Sequence, residues 1–207
     1  MPEIASEANL ADKPLIILIP VFNDWPALGQ LLQLLDEVLT KHSRQANVLI
    51  VDDGSTVTAG SDGAPERAFQ ALRRVDVLQL RRNLGHQRAI AVGLAYIADK
   101  VPCRAVIVMD SDGEDDPHDV PRLLKKFSEE GERKIIFAER TQRSETRVFR
   151  IFYSLYRAFH YLLTNQKVRV GNFSIIPESR LASLVVVSEI WNHYAAAVSD
   201  DCLVVAW

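Results

Sequence analysis

The stretch Val106–Pro117, VIVMDSDGEDDP, is an apolar run that ends in five carboxylates within seven residues: Asp110, Asp112, Glu114, Asp115 and Asp116. The apolar half has the pattern of a strand buried on both faces. The acidic half poses the chemical question. Like charges this close repel one another, so a folded chain keeps them together only where water solvates them or a cation neutralises them. On this stretch alone both readings stand.

Working outward, three more apolar runs rich in Ile, Leu and Val are expected strands: Leu15–Ile19, Val48–Val51 and Val75–Leu80. They join Ala105–Met109, and Ile135–Ala138 makes a fifth. Helical spacing lies between them. WPALGQLLQLLDEVLTKH carries Leu28, Leu31, Leu32, Leu35 and Leu39 on one side, and QRAIAVGLAYIADK repeats the 3.6-residue pattern. Strand and helix in alternation predict an α/β fold with a mostly parallel sheet and helices on both faces.

In such sheets, ligands sit beyond the carboxyl ends of the strands. Those ends read PVFND, VDDGS, RRNLGHQ and MDSDGEDD, and three of the four are acidic. Asp52 and Asp53 taken alone fit a turn or helix cap ahead of Gly54 and Ser55. Asp110 and Asp112 are two residues apart where the chain leaves the sheet, so both can turn toward one ion, with Glu114 as a third oxygen donor. Oxygen ligands without His or Cys favour Mg²⁺ or Mn²⁺ over zinc. So few protein ligands leave room for water and for a diphosphate, whose leaving charge the metal would neutralise. Gly85, Gly93, His86, Arg82 and Arg88 carry no decision on their own.

Composition sets the frame. The chain has 207 residues, 48% of them hydrophobic, and a formal net charge of -3, which suits one globular domain and gives no sign of nucleic-acid binding. Cys103 and Cys202 lack disulfide or metal spacing and fit a reducing compartment. Residues 1–13 read as a flexible tail without the layout of a secretory signal, and 14–207 as a single domain. No run of about 18 apolar residues is present to span a membrane.

IPVFND, VDDGS, RRNLGHQRAIAVGL and MDSDGEDDP, in this order and spacing, resemble family 2 glycosyltransferases of GT-A fold. Within that family they are most similar to the polyprenyl-phosphate group, the dolichol-phosphate mannose synthase and undecaprenyl-phosphate glucosyltransferase type. The likeness runs from about Pro14 to Ser179. It implies a nucleotide site at Pro20, Phe22, Asp24 and Asp53, with Asp52 assisting. It implies a D-x-D pair, Asp110 and Asp112, that carries Mg²⁺ or Mn²⁺ and the diphosphate of a UDP- or GDP-sugar. Glu114 stands where the family often has Gln, while Asp115 and Asp116 read as loop and cap residues.

After the fifth strand, FAERTQRSETRVFR falls where the family places phosphate-gripping arginines. Arg140 matches best, and Arg143, Arg147 and Arg150 are candidates for the acceptor phosphate. RVFRIFYSLYRAFHYLL, residues 147–163, has the spacing of an interfacial amphipathic helix, with a core helix as its alternative. From Arg140 to Arg180 there are eight Lys or Arg against only Glu145 and Glu178. Such a surface suits a polyprenyl phosphate acceptor presented at the cytoplasmic membrane face, with the protein peripheral to it.

Many sugar-transferring relatives carry an acidic base in a D-x-x-S-G-F-like stretch, where this chain reads KVRVGNFS. A phosphate acceptor is already anionic near neutral pH, its second pKa being about 6, and needs no such base. The metal and arginines, Asp112, Arg140 and Arg150 among them, would then do the catalytic work. The resemblance also leads one to expect that the chain is truncated at its C-terminal end compared with its relatives. A homo-oligomer is compatible with the sequence. Two other readings are a catalytically inactive nucleotide-sugar-binding partner at the membrane and, on VIVMDSDGED alone, a haloacid-dehalogenase-like phosphatase with Asp110 as nucleophile.

Overall fold

The computed structural model describes residues 13–57, 68–139, 171–192, 194–198 and 202–206. The expected interfacial helix at 147–163 and Arg140, Arg143, Arg147 and Arg150 lie outside them. Lys13, assigned to the tail from sequence, pairs its Nζ with Glu178 at 3.3 Å.

Among the described residues the chain forms a seven-stranded mixed sheet: β1 (Leu15–Val21), β2 (Ala46–Asp52), β3 (Leu72–Gln79), β4 (Ala105–Val108), β5 (Ile135–Glu139), β6 (Ser174–Pro177) and β7 (Cys202–Ala206). The spatial order is β3-β2-β1-β4-β6-β5-β7. β1 pairs in parallel with β2 and β4, and β2 with β3. β6 runs antiparallel to both β4 and β5, and β7 pairs in parallel with β5. The expected mostly parallel α/β sheet is therefore present, with one reversed strand inserted between β4 and β5. β3 starts at Leu72, three residues ahead of the expected Val75, because an edge strand can turn Arg73 and Arg74 out to solvent.

The alternation of strand side chains divides the core in two. Ile17, Ile19, Val21, Ile50 and Ile107 face one side, where α1 (Trp25–Lys41) and α3 (Val120–Glu129) cover them. Ile16, Leu18, Val51, Val106 and Val108 face the other, beneath α2 (His86–Lys100), α4 (Glu178–Leu184) and the short α5 (Tyr194–Ala197). α1 buries the leucines expected from its spacing, together with Trp25 and Val38. Each fully buried Leu contributes about 1.5–3 kcal/mol.

Gly93 faces the sheet so closely that a Cβ there would meet Leu18 Cδ1 at 2.5 Å and Val51 Cγ2 at 2.8 Å. Its role is helix-to-sheet packing. The chain order runs outward from β1 to β3 and then returns through α2 to β4 on the other side of β1. That reversal is a topological switch point, and it places the carboxyl ends of β1, β2 and β4 side by side.

Candidate active site at the carboxyl edge

β1 ends in Val21 opposite Asp52 of β2, and β4 ends at the register of Leu18. Three loops leave this edge. The loop after β1 crosses to the loop after β2 through Asn23, which has a left-handed φ of 59°. Its Oδ1 accepts the backbone N–H of Thr56 at 2.8 Å and of Val57 at 3.1 Å, while Ser55 Oγ accepts the Asn23 N–H at 2.9 Å. Trp25 Nε1 donates to the Val57 carbonyl at 2.9 Å. Asp24 caps α1 by accepting from the Ala27 N–H, and Phe22 and Asp24 are both exposed. Pro20 is buried, and its carbonyl accepts from Ser111 Oγ at 3.2 Å.

The VDDGS turn is closed by its own aspartates. Asp52 Oδ1 accepts the Ser55 N–H three residues on at 2.9 Å, a local side-chain-to-backbone bond that closes the turn. Asp53 reaches across to the loop ahead of α2, its Oδ1 accepting from the Leu84 N–H at 2.7 Å and its Oδ2 from the Gly85 N–H at 2.9 Å. With 3% and 2% of their surface exposed, both aspartates are interior groups. Gly54 completes the junction, since its backbone abuts that of Arg82 and Asn83. The RRNLGHQ loop is thereby fixed to the end of β2, and Arg82 and Arg88 project to the exposed surface.

The acidic loop after β4 separates its carboxylates by environment. Asp115, 2% exposed, accepts the Asp110 N–H at 2.8 Å and closes the loop from within. Asp116 caps a short 3₁₀ turn at Pro117–Asp119 by accepting from the His118 N–H. Asp112 and Glu114 are exposed, and Asp112 Oδ1 accepts the Glu114 N–H at 2.9 Å. Of the five carboxylates, Asp115 and Asp116 are loop and cap residues.

Asp110 meets two partners from other parts of the chain. His86 Nε2, in the first turn of α2, lies 3.0 Å from its Oδ1. Asn172 Nδ2 lies 3.2 Å from Oδ2 and 3.4 Å from Oδ1. Asn172 arrives because β6 is reversed: Ser174 pairs with Val108, so the residues just before β6 meet the exit of β4. Asn172 Nδ2 also stands 2.9 Å from His86 Nε2. That imidazole nitrogen can donate to Asp110 or accept from Asn172, but not both at once. The hydrogen bond to Asp110 holds the His86 imidazole above its ordinary value of 6.5, against partial burial, and the charges of Asp110, Asp112 and Asp53 add to the effect.

Among the described residues no three His, Cys, Asp or Glu side chains form a cage for a metal ion. The donor set still fits a hard divalent cation held at an open site. Asp110 and Asp112 leave the sheet two residues apart with carboxylate oxygens only, and such ions keep several waters and take one or two carboxylates plus substrate phosphate. Sequence reading identified the edge residues but assigned no partner role to His86 and missed Asn172 and Asn23. His86 was legible as part of the edge, because its loop follows β3, whereas Asn172 depends on the direction of β6.

The sequence pattern of Glycosyl transferase family 2 matches residues 16–186. An uncharacterized glycosyltransferase, YkcC of Bacillus subtilis (strain 168), is 29% identical over 141 residues, covering 65% of this chain and 39% of that protein. The undecaprenyl-phosphate 4-deoxy-4-formamido-L-arabinose transferase of Klebsiella pneumoniae (strain 342) is 30% identical over 117 residues, covering 56% of this chain and 34% of that protein. The chain thus spans between a third and two fifths of the length of these two relatives.

Among solved structures, glucosyl-3-phosphoglycerate synthase from Mycobacterium tuberculosis, in complex with Mn²⁺, UDP-glucose and phosphoglyceric acid, superposes with a TM-score of 0.59 at 15% identity. The match covers 95% of this chain and 70% of that one. TarS of S. aureus superposes at 0.52 with 14% identity, covering 94% of this chain and 58% of that one. These likenesses establish the GT-A fold. The family match also replaces the phosphatase reading of the acidic stretch. The match over residues 16–186, on a sheet whose strand ends gather the same motifs, makes this chain a member of glycosyltransferase family 2.

Proposed function

We propose that this chain carries the donor-binding part of a metal-dependent glycosyltransferase that moves a sugar from a nucleoside diphosphate to a polyprenyl phosphate at the cytoplasmic face of a membrane. The observation that carries the proposal is the meeting of Asp110, His86 and Asn172 beside the exposed Asp112, at the switch point of a family 2 fold. A UDP- or GDP-sugar is the donor class, supported by the UDP-glucose complex of the structural neighbour. The lipid phosphate is supported by the undecaprenyl-phosphate transferase among the relatives.

In this reading Asp110 and Asp112, with Glu114 beside them, hold Mg²⁺ or Mn²⁺. When bound, the cation supplies Lewis-acid neutralisation of the departing diphosphate. Phe22 and Asp24 are exposed at the edge and contribute to the nucleotide site, with Pro20 shaping its floor. Asp52 and Asp53 contribute by holding the loops around the donor, since their carboxylates are interior and already accept backbone N–H groups. Arg140 and Arg150 belong to the acceptor side, where a guanidinium fork matches phosphate oxygens.

The membrane reading rests on the basic and aromatic composition of residues 140–180. Among the described residues, no helix is long and apolar enough to cross a membrane. A phosphate acceptor brings its own anionic nucleophile, so orientation by cationic groups takes the place of a general base. Calorimetric titration of UDP and of GDP into the purified chain, with Mn²⁺ and then with EDTA, tests the proposal. Binding of one nucleotide that disappears with EDTA is the expected result. A folded chain that binds neither would overturn it.

A further inference from the structure

Two side-chain amides lie in series between α5 and Asp110, and their order has a fixed polarity. The backbone N–H of Tyr194 points at Gln87 Oε1 from 2.7 Å. A backbone N–H can only donate, so Gln87 must present its oxygen to Tyr194 and its NH₂ group to the other side. There Gln87 Nε2 donates to Asn172 Oδ1 at 3.0 Å. Asn172 is then obliged to turn its own NH₂ toward Asp110 and His86.

The anchor of this series is itself well held. Tyr194 is fully buried, its ring packs on Phe137 with centroids 5.6 Å apart, and its hydroxyl meets Ser174 Oγ at 2.7 Å. Ser174 Oγ in turn bonds the Asn172 carbonyl at 2.9 Å. Asn172 is therefore fixed through both its backbone and its amide.

We infer that Gln87 is a positioning residue for the donor site: through Asn172 it keeps a neutral N–H donor on Asp110, and so sets where that carboxylate points. The inference rests on the proposed function, in which Asp110 faces the cation and diphosphate. Asn172 in the opposite orientation would set an amide oxygen against a carboxylate, and Asp110 would be driven from its place. Gln87 touches neither Asp110 nor His86 through any described hydrogen bond, so any effect of changing it must travel through Asn172 or through the fold at large.

Gln87→Glu separates those routes. The glutamate keeps the shape and still accepts from Tyr194, but its second oxygen can only accept, which forces Asn172 to turn round. Added negative charge near a cation site would by itself draw the cation in. It would also repel the nucleotide's diphosphate, and either effect of charge would persist without Asn172, so only a loss that depends on Asn172 reports the reversed amide.

The experiment is a double-mutant cycle on the affinity of the 207-residue chain for UDP with Mn²⁺, or for GDP if the unaltered chain takes that nucleotide. The variants are Gln87→Glu, Asn172→Ala and the pair, with melting temperature followed alongside. Gln87→Glu should weaken binding by about tenfold, the scale of one misdirected hydrogen bond to a charged group. In the Asn172→Ala background it should weaken it no further, because no amide remains to turn. If Gln87→Glu loses its cooperative melting transition, Gln87→Met, which removes both hydrogen bonds without adding charge, takes its place; it releases Asn172 without reversing it, so a smaller loss is expected, again with none in the Asn172→Ala background. Unchanged affinity, or losses that multiply in the pair, would overturn the inference while leaving the proposed function standing. An unaltered chain that binds neither nucleotide would remove the proposed function and this inference with it.

Discussion

The carboxylate of Asp53 and the backbone N–H of Gly85 lie 2.9 Å apart, joining the end of β2 to the residue that opens α2. Leu84 fills the other oxygen at 2.7 Å, so one interior side chain satisfies two successive backbone donors. Asp53→Asn can offer only one oxygen and must turn an NH₂ group against an N–H. An unsatisfied buried group costs about 1–3 kcal/mol, and the urea midpoint should fall accordingly. Because the same loop carries His86, Mn²⁺-dependent nucleotide binding should weaken in the same variant. Stability equal to that of the unaltered chain would show that the loop does not depend on this clamp.

Gly54 tests the same junction from its backbone. Its φ is +70°, and a Cβ there would come within 2.5 Å of the Arg82 carbonyl carbon and 2.7 Å of the Asn83 nitrogen. Gly131 has a similar φ of +67° with nothing within 4 Å. Gly131→Ala should therefore cost only the left-handed conformation, about 1–2 kcal/mol. Gly54→Ala should cost that and about 1–3 kcal/mol more for the forced separation of two loops. Equal losses in chemical denaturation would mean that the close approach at Gly54 is not needed.

Much of this arrangement was legible in the sequence, for identifiable reasons. β1, β2 and β4 are buried on both faces, so they read as unbroken apolar runs, and the rule for parallel sheets then brought their ends together. β6 is four residues long and β7 five, and neither was expected as a strand. Their pairing partners lie far away in sequence, and the direction of β6 alone brings Asn172 to Asp110. Carboxylate chemistry was only partly readable, because residue type does not distinguish Asp53 and Asp115, which are interior and bonded to backbone, from the exposed Asp112. The difference comes from the loops they close.

Asp112→Asn should separate chemistry from folding. The Asp112 side chain is exposed and uses one oxygen to accept from the Glu114 N–H, a role that the asparagine oxygen can fill. Stability should stay within about 0.5 kcal/mol of the unaltered chain. Removing the charge should nevertheless lower Mn²⁺-dependent UDP or GDP affinity by at least about tenfold, since the proposed site has few other carboxylates to hold the ion. Calorimetry showing full affinity in this variant would remove Asp112 from the proposed metal site.

At the opposite edge of the sheet, Arg104 just before β4 meets Glu132 in the turn between α3 and β5. Its Nε donates to Oε2 at 2.8 Å, and its Nη2 pairs with the other oxygen. This hydrogen bond from the guanidinium holds the Glu132 carboxyl below its ordinary value of 4.5, against the opposing effect of burial. A carboxyl whose value is lower in the folded state binds protons more readily when unfolded. Its stabilising contribution is therefore complete above the ordinary value and is lost as pH falls through the lowered one. Glu132→Gln removes the titration but keeps the shape. The difference in urea midpoint between the two proteins should be constant from about pH 5.5 to 8 and should shrink as the pH is taken below about 4.5. A difference that is as large at pH 3.5 as at pH 7 would mean that the pair acts through shape and hydrogen bonding and not through the charge on Glu132.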